Sequence, residues 1–328
     1  MKEYIQTIAV FIIFLTAIPC IVFLSDNSKN AVSSAQTYAE NNIEIYFTKE
    51  KKCHTYSLTE YLIGAVLAQM PADFDDEALK AQAVLAHTYI LRREQAEKAQ
   101  PTKALCGGLI SDNNEIYQGF FTEQQAKDFY KDDYEKAYKK VRSAVEDAAD
   151  YILTYKGEPV IVAFHAISSG YTENALTAWR QDIPYLQAVK SDKDKKINGI
   201  ESEKIYTAQE LKEKISSVYD DIEFTDLSDA KNWIVISDVN KRNYVTKLKI
   251  CGREIPVSEF IEVLDISSPC FTVDFSNTKF SFISQGFGHL VGMSQYGADS
   301  MGKSGKNFKE ILDHYYTDCT VEKTDSIK

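Results

Sequence analysis

Three stretches of this chain gather side chains able to do chemistry. The first, Gly286-Phe287-Gly288-His289-Leu290-Val291-Gly292-Met293-Ser294-Gln295-Tyr296-Gly297-Ala298, sets hydrogen-bonding groups among glycines; residues 286–305 hold six of the chain's 14 glycines. Glycine lets backbone approach a ligand closely or adopt positive φ. His289, Ser294, Gln295 and Tyr296 are therefore candidate substrate contacts, and a purely architectural loop is the competing reading. The Gly-Lys-Ser ending lacks the Walker spacing of a phosphate cradle. No orienting acid follows in a context that would make Ser294 and His289 a nucleophile pair. The second stretch, Ser168-Ser169-Gly170-Tyr171-Thr172-Glu173-Asn174, follows an apolar strand over residues 160–167. It either lines a groove or caps that strand. His165, on the strand itself, reads as a core histidine rather than a ligand. The third, Leu58 to Pro71, reads as a helix with Gln69 near its end. Gln69 follows Ala65 by four residues and Val66 by three, so it prolongs the apolar stripe. Its amide both donates and accepts hydrogen bonds.

The elements that position these residues follow from pattern. Ile43–Phe47 reads as a strand and residues 59–70 as a helix with stripe Tyr61, Leu62, Ala65 and Val66, stopped by Pro71. A second, alanine-rich helix runs from the acidic turn Asp75-Asp76-Glu77 through Arg93. Residues 123–149 read as one charged amphipathic helix with apolar face Tyr130, Tyr134, Ala137, Val141 and Val145. A hairpin is expected from residues 151–155 and 160–167 about Lys156-Gly157. Thr207-Ala208-Gln209-Glu210 has capping-box form and opens a helix through Ile215. Residues 233–236 and 245–250 read as strands, and residues 308–316 as a helix. The class expected is α+β, with mixed helices and antiparallel hairpins around a groove.

Bulk properties narrow the partners. The formal charge of -11 argues against nucleic acid, which requires a basic footprint. Residues 4–24 carry no charge, and a helix of about 20 apolar residues spans about 30 Å of hydrocarbon. A cleavable signal peptide has a shorter apolar region and a small-residue exit. An uncleaved signal anchor is the expectation, with the bulk outside the cytoplasm. The organisation expected is a signal anchor over 1–25, a polar tether over 26–42, one ectodomain over 43–322 and a tail over 323–328. Cysteines stand at 20, 53, 106, 251, 270 and 319; the five outside the apolar segment cannot all pair within one chain. No Cys/His cluster has zinc spacing and no H-E-x-x-H occurs, so no metal and no cofactor is expected.

Taken together and in order, Leu58 to Pro71 with Ala78-Leu79-Lys80-Ala81-Gln82-Ala83-Val84 and Thr88-Tyr89, Ser168 to Asn174 with Trp179 and Pro184-Tyr185-Leu186, and Gly286 to Ala298 with His314-Tyr315-Tyr316 resemble the stage II sporulation protein D family, which includes amidase-enhancer proteins. The match runs from about residue 50 to 320. The resemblance implies a glycan-binding groove and a lytic transglycosylase that cuts peptide-free glycan strands during forespore engulfment. It also implies a general acid and base at the end of the first helix, just before Met-Pro. Here that position is Gln69, a degenerate acid.

The resemblance further implies substrate contacts from Ser168, Ser169, Tyr171, Thr172, Glu173, His289, Ser294, Gln295 and Tyr296. Glu173 would bind sugar hydroxyls or, as one of Glu60, Asp73, Asp75, Asp76 and Glu173, stand in for the missing acid. Some family members hold zinc through His and two Cys; of these only Cys106 is present here. His87 stands where the family commonly has Arg. The partners implied are peptidoglycan glycan strands, a cell-wall amidase or endopeptidase, and membrane proteins of the engulfment machinery. A non-catalytic scaffold that stimulates an amidase, and an active transglycosylase using another carboxylate, are the competing functions.

Overall fold

A computed structural model describes residues 42–324. The apolar segment 4–24, the tether up to residue 41 and residues 325–328 lie outside the described residues. Among the described residues no helix is long and apolar enough to cross a membrane. The described residues divide into two compact units: residues 42–162 with 298–324, and residues 163–297. It is α+β, as the patterning implied.

The first unit opens with β1 Ile43–Phe47 and β2 Lys52–Tyr56, antiparallel to each other. Helix α1, Leu58–Gln69, begins at a capping box: Ser57 Oγ accepts from Glu60 N, and Glu60 Oε2 accepts from Ser57 N. It ends because Met70, preceding Pro71, is pushed into extended backbone at φ -133 and ψ 137. Every residue from Tyr61 to Gln69 is buried, so α1 is enclosed on all sides rather than along a stripe. Helix α2, Asp76–Ala99, starts where Asp75 caps Glu77 N. Its alanines at 78, 81, 83 and 86 are fully buried.

Strand β3, Ile110–Ser111, adds parallel to β1. The long amphipathic helix of the sequence reading is broken into α3, Glu123–Tyr130, and α4, Tyr134–Ala148. Between them lies a tight turn at Lys131–Asp133, entered with Lys131 at φ 49. Asp132, Asp133 and Glu135 favour a new helix start there. The Tyr130 hydroxyl, bonded to Leu67 O at 3.0 Å, pins the break to α1. In α4 the periodic face Tyr134, Ala137, Val141 and Val145 is buried as its spacing implies. Strand β4, Tyr151–Tyr155, turns at Lys156-Gly157 into β5, Glu158–Pro159, and the hairpin stops there. Proline has no N–H with which to continue a ladder.

The expected second arm of that hairpin falls instead in the second unit, as β6 Phe164–His165. There follow α5 Ala175–Trp179, β7 Glu201–Thr207, α6 Ala208–Ser216, β8 Ile234–Val239, β9 Val245–Ile250, β10 Arg253–Ile255, α7 Val257–Val263, β11 Phe271–Ser276, β12 Lys279–Gln285 and β13 Met293–Ser294. Two antiparallel sheets, β10-β9-β8 and β11-β12-β7, enclose Trp233, Phe260, Phe271, Phe280 and Phe282 with Leu211 and Ile215 of α6. Strand β13 pairs parallel with β6, Ser294 opposite His165. The chain continues through α8 Gln295–Gly302, α9 Phe308–Tyr315 and β14 Thr320–Lys323, which pairs with β4 in the first unit.

Candidate functional site

The first unit carries position 69. Gly64 of α1 makes the site's approach possible. A Cβ there would meet the Phe120 ring at 2.3 Å and Phe121 O at 2.4 Å, so only glycine admits that segment. Phe121 N donates to Gly64 O at 3.1 Å, which fixes the neighbouring Gln118 and Gly119 beside the end of α1. The Gln69 side chain is 7% exposed. Its Nε2 donates to Gly119 O at 3.2 Å, and its Oε1 accepts from Gln118 Nε2 at 3.0 Å and Gln82 Nε2 at 3.3 Å. Gln118 in turn accepts from the Tyr61 hydroxyl at 3.0 Å and donates its backbone N–H to the Tyr89 hydroxyl at 3.1 Å. Burial pushes the Tyr61 hydroxyl well up and that of Tyr89 up to about 12, so both stay protonated. The result is a network of amides and phenols.

The carboxylates weighed as substitutes are placed as follows. Glu60 caps the opposite end of α1, about 13 Å along the axis from position 69. The hydrogen bonds of Ser57 hold its carboxyl below the usual range, which is the wrong direction for an acid. Asp75 is the cap of α2, and exposed Asp76 sits 3.5 Å from Lys140 Nζ. Asp73 is exposed on the turn after α1. His87 is buried in α2, its Nδ1 donating to Tyr151 O at 3.2 Å. Burial lowers its pKa to about 4, so the imidazole is neutral and inside the core.

The other sequence-selected residues belong to the second unit. Glu173 is 1% exposed, and its carboxylate is fully engaged. Oε2 accepts from Asn240 Nδ2 at 2.7 Å and Arg242 Nε at 3.0 Å, while Oε1 accepts from Asn174 N at 2.9 Å and also pairs with Arg242 Nη2. Such a carboxylate ties the loop to the β8–β9 turn; it has no free lone pair for a sugar hydroxyl or a proton transfer. Ser168 and Ser294 are also internal. Both hydroxyls donate to Asp194 Oδ2, at 2.6 and 2.7 Å, and Ser168 N adds a third bond at 2.9 Å. Burial raises the pKa of Asp194, partly offset by these bonds, and its Oδ1 has no hydrogen-bond partner among the described residues. Thr172 Oγ1 accepts from Val189 N at 2.9 Å, Ser169 Oγ lies 3.3 Å from Cys270 Sγ, and Gln295 is buried.

Three of the nine keep partly exposed side chains: Tyr171, His289 and Tyr296. His289 lies 5.1 Å from the Trp179 ring and 5.9 Å from that of His165. Its Nδ1 accepts from Val291 N at 3.0 Å, and burial lowers its pKa to about 4, so it is a neutral ring with aromatic neighbours. Trp179, also partly exposed, gives that cluster an apolar face of the kind on which sugar rings stack. His165 donates Nδ1 to Val291 O at 3.1 Å, and burial lowers its pKa to about 3. The glycine-rich segment owes its composition to close packing: a Cβ on Gly292, at φ +71, would stand 2.0 Å from Ala163 O. No group of three or more His, Cys, Asp or Glu that could hold a metal occurs among the described residues.

Sequence reasoning missed Gln82 and Gln118 as partners of Gln69, and Asp194, Asn240 and Arg242 as partners of the second segment. Gln82 stood inside a quoted motif and was legible only as part of an alanine-rich helix. The others carry no local signal, because what selects them is a contact across at least 26 residues of chain.

Known proteins agree with the residue-level resemblance. A family model described as stage II sporulation protein matches residues 46–155. The stage II sporulation protein D of Bacillus subtilis (strain 168) is 31% identical over 345 residues, covering 99% of this chain and 97% of the relative. That of Bacillus amyloliquefaciens is 32% identical over 286 residues, covering 87% and 80%. A Bacillus subtilis protein named amidase enhancer is 26% identical over 308 residues, 79% of this chain and 40% of the relative. This sequence is thus a member of the stage II sporulation protein D family.

Proposed function

We propose that the chain is a peptidoglycan-binding sporulation protein built like a lytic transglycosylase but impaired in cutting, because its acid position is an amide. Lytic cleavage needs one group to protonate the leaving glycosidic oxygen and then to take the proton of the muramyl 6-hydroxyl as it closes an anhydro ring. Gln69 has no proton to give. General acid–base catalysis contributes about 10²–10⁴-fold, so its loss leaves little activity. The observation that carries the reading is the amide network around Gln69, in which both ends of the side chain are engaged by Gly119, Gln82 and Gln118. Of the carboxylates nominated as substitutes, Glu173 and Glu60 are committed elsewhere.

The same network supports a prediction for the restored acid. The Gly119 carbonyl faces the Nε2 of Gln69 and requires a donor. A carboxyl introduced by Gln69→Glu satisfies it only when protonated, which raises its pKa and suits it to donate. Mass spectrometry of peptide-free glycan incubated with the full chain tests this. The native chain should release little anhydromuramyl product and Gln69→Glu about 10²-fold more or better. Native activity that survives Gln69→Ala and disappears with Asp73→Asn would reverse the assignment.

A second reading is that the chain stimulates a cell-wall amidase without cutting glycan. The relative named amidase enhancer supports it. Faster amidase turnover in the presence of the native chain, with no glycan product, is its signature. The uncharged segment 4–24 supports a single-pass membrane location with the ectodomain outside the cytoplasm. Protease added to intact cells should then remove the ectodomain.

A further inference from the structure

Cys53 lies on β2 opposite Tyr46 of β1, so the two side chains share one face of the sheet. The chain returns over that face after α2. A short turn at Lys103–Leu105 ends with Cys106 in left-handed backbone at φ 51, and Gly107 follows at φ 99. This return sets Cys53 Sγ 3.6 Å from Leu105 O and 3.9 Å from Cys106 O. Within one cysteine only Cα and Cβ separate the carbonyl carbon from the sulfur, and the two thiols are near enough to interact electrostatically. Cys106 is exposed; its Sγ lies 3.9 Å from Lys103 O, and its thiol also pairs with the Tyr46 hydroxyl. Burial, then Glu44, then the Cys106 thiol raise the pKa of Cys53, and Tyr46 also feels the Cys106 thiol.

We propose that Cys53 and Cys106 are a redox-closable pair that forms an intramolecular disulfide. With a low-molecular-weight disulfide as oxidant, one protein thiolate attacks a sulfur of the reagent and expels one small thiolate. The second protein thiolate then attacks the mixed disulfide and expels the other. The two cysteines lose two electrons and two protons; the reagent is reduced to two thiols. Closure ties the 103–108 turn to β2, and the enclosed chain contains both Gln69 and Gln82. It leads directly to Gln118 and Gly119, the other two partners of the amide network. The disulfide would therefore stiffen the framework of position 69, whichever function that position serves.

The test incubates the full chain with oxidised glutathione, alkylates residual thiols, and maps peptides without reduction. The expected product links the Cys53 peptide to the Cys106 peptide, with Cys251, Cys270 and Cys319 alkylated. The thermal midpoint should rise by about 5–10 °C, as expected for closing a loop of this length. Cys53→Ser should leave Cys106 as a glutathione adduct, and Cys106→Ser should leave Cys53 unlinked. Native chain in which Cys106 stops at the glutathione adduct while Cys53 is alkylated, or in which either cysteine links elsewhere, would overturn the pairing.

Discussion

Each of the two units buries polar side chains beside a segment that motif reading singled out, and each does so with a different chemistry. In the first unit the group around position 69 is made of buried Gln69, Gln82, Gln118 and Tyr61, with the half-buried Tyr89 beside them. In the second the counterparts are carboxylates, Glu173 at 1% exposure and Asp194 at 0%. An amide carries donor and acceptor together, so these side chains can satisfy one another without a counter-charge. A carboxylate only accepts. Glu173 therefore recruits Arg242, and Asp194 depends on hydroxyls and an N–H, with one oxygen left unbonded. The two buried carboxylates of the second unit are committed to internal partners, and the amides of the first unit bond chiefly to one another.

The largest expected effect tests the charged half of this contrast. Arg242→Ala strands the Glu173 carboxylate and should cost about 3 kcal/mol or more in urea unfolding. Glu173→Gln in the same chain should recover much of that loss. A cost under about 1 kcal/mol would show that the pair is not what holds the loop. In the amide cluster, Gln118→Leu leaves the Tyr61 hydroxyl and the Gln69 oxygen each short of a partner and should cost about 1–3 kcal/mol. Adding Tyr61→Phe should then cost almost nothing, since its partner is already gone; full additivity would mean that no network exists.

Smaller effects sharpen the comparison. Ser57→Ala removes the α1 cap and should cost about 1 kcal/mol, additive with Gln118→Leu because the two lie at opposite ends of the helix. The smallest change is one of slope. The pKa of Asp194 is raised on folding, so the native state holds its proton more tightly than the unfolded chain. Its stabilising share is complete below the ordinary aspartate value and is lost as pH rises through the higher folded value. Asp194→Asn should flatten that part of the stability–pH curve. An unchanged profile would mean that Asp194 is charged in the fold throughout.

Much of the architecture was readable because it is local. Pro71 and the Ser57–Glu60 pair bracket α1, and Thr207 with Glu210 opens α6. Apolar Leu248 and Ile250 alternating with Lys247 and Lys249 mark the strand Val245–Ile250. The break at Lys131 was hidden because the apolar period of 123–149 runs straight through it, and only a contact from Tyr130 to α1 enforces the turn. Strands β7, β11 and β12 went unread: β7 pairs with a strand more than 70 residues on, and neither partner is distinctive alone.

The amino-acid order alone determined the family, the helix that ends at position 69 and the absence of an acid there, because side-chain chemistry and short-range spacing suffice for each. Only the tertiary structure decided which polar residues face one another. It gave Gln69 to Gln82, Gln118 and Gly119, and it consigned Glu173 to Arg242 and both serines to Asp194. Hydrogen bonding and desolvation depend on distances between segments remote in sequence, and those exist only once the chain has folded.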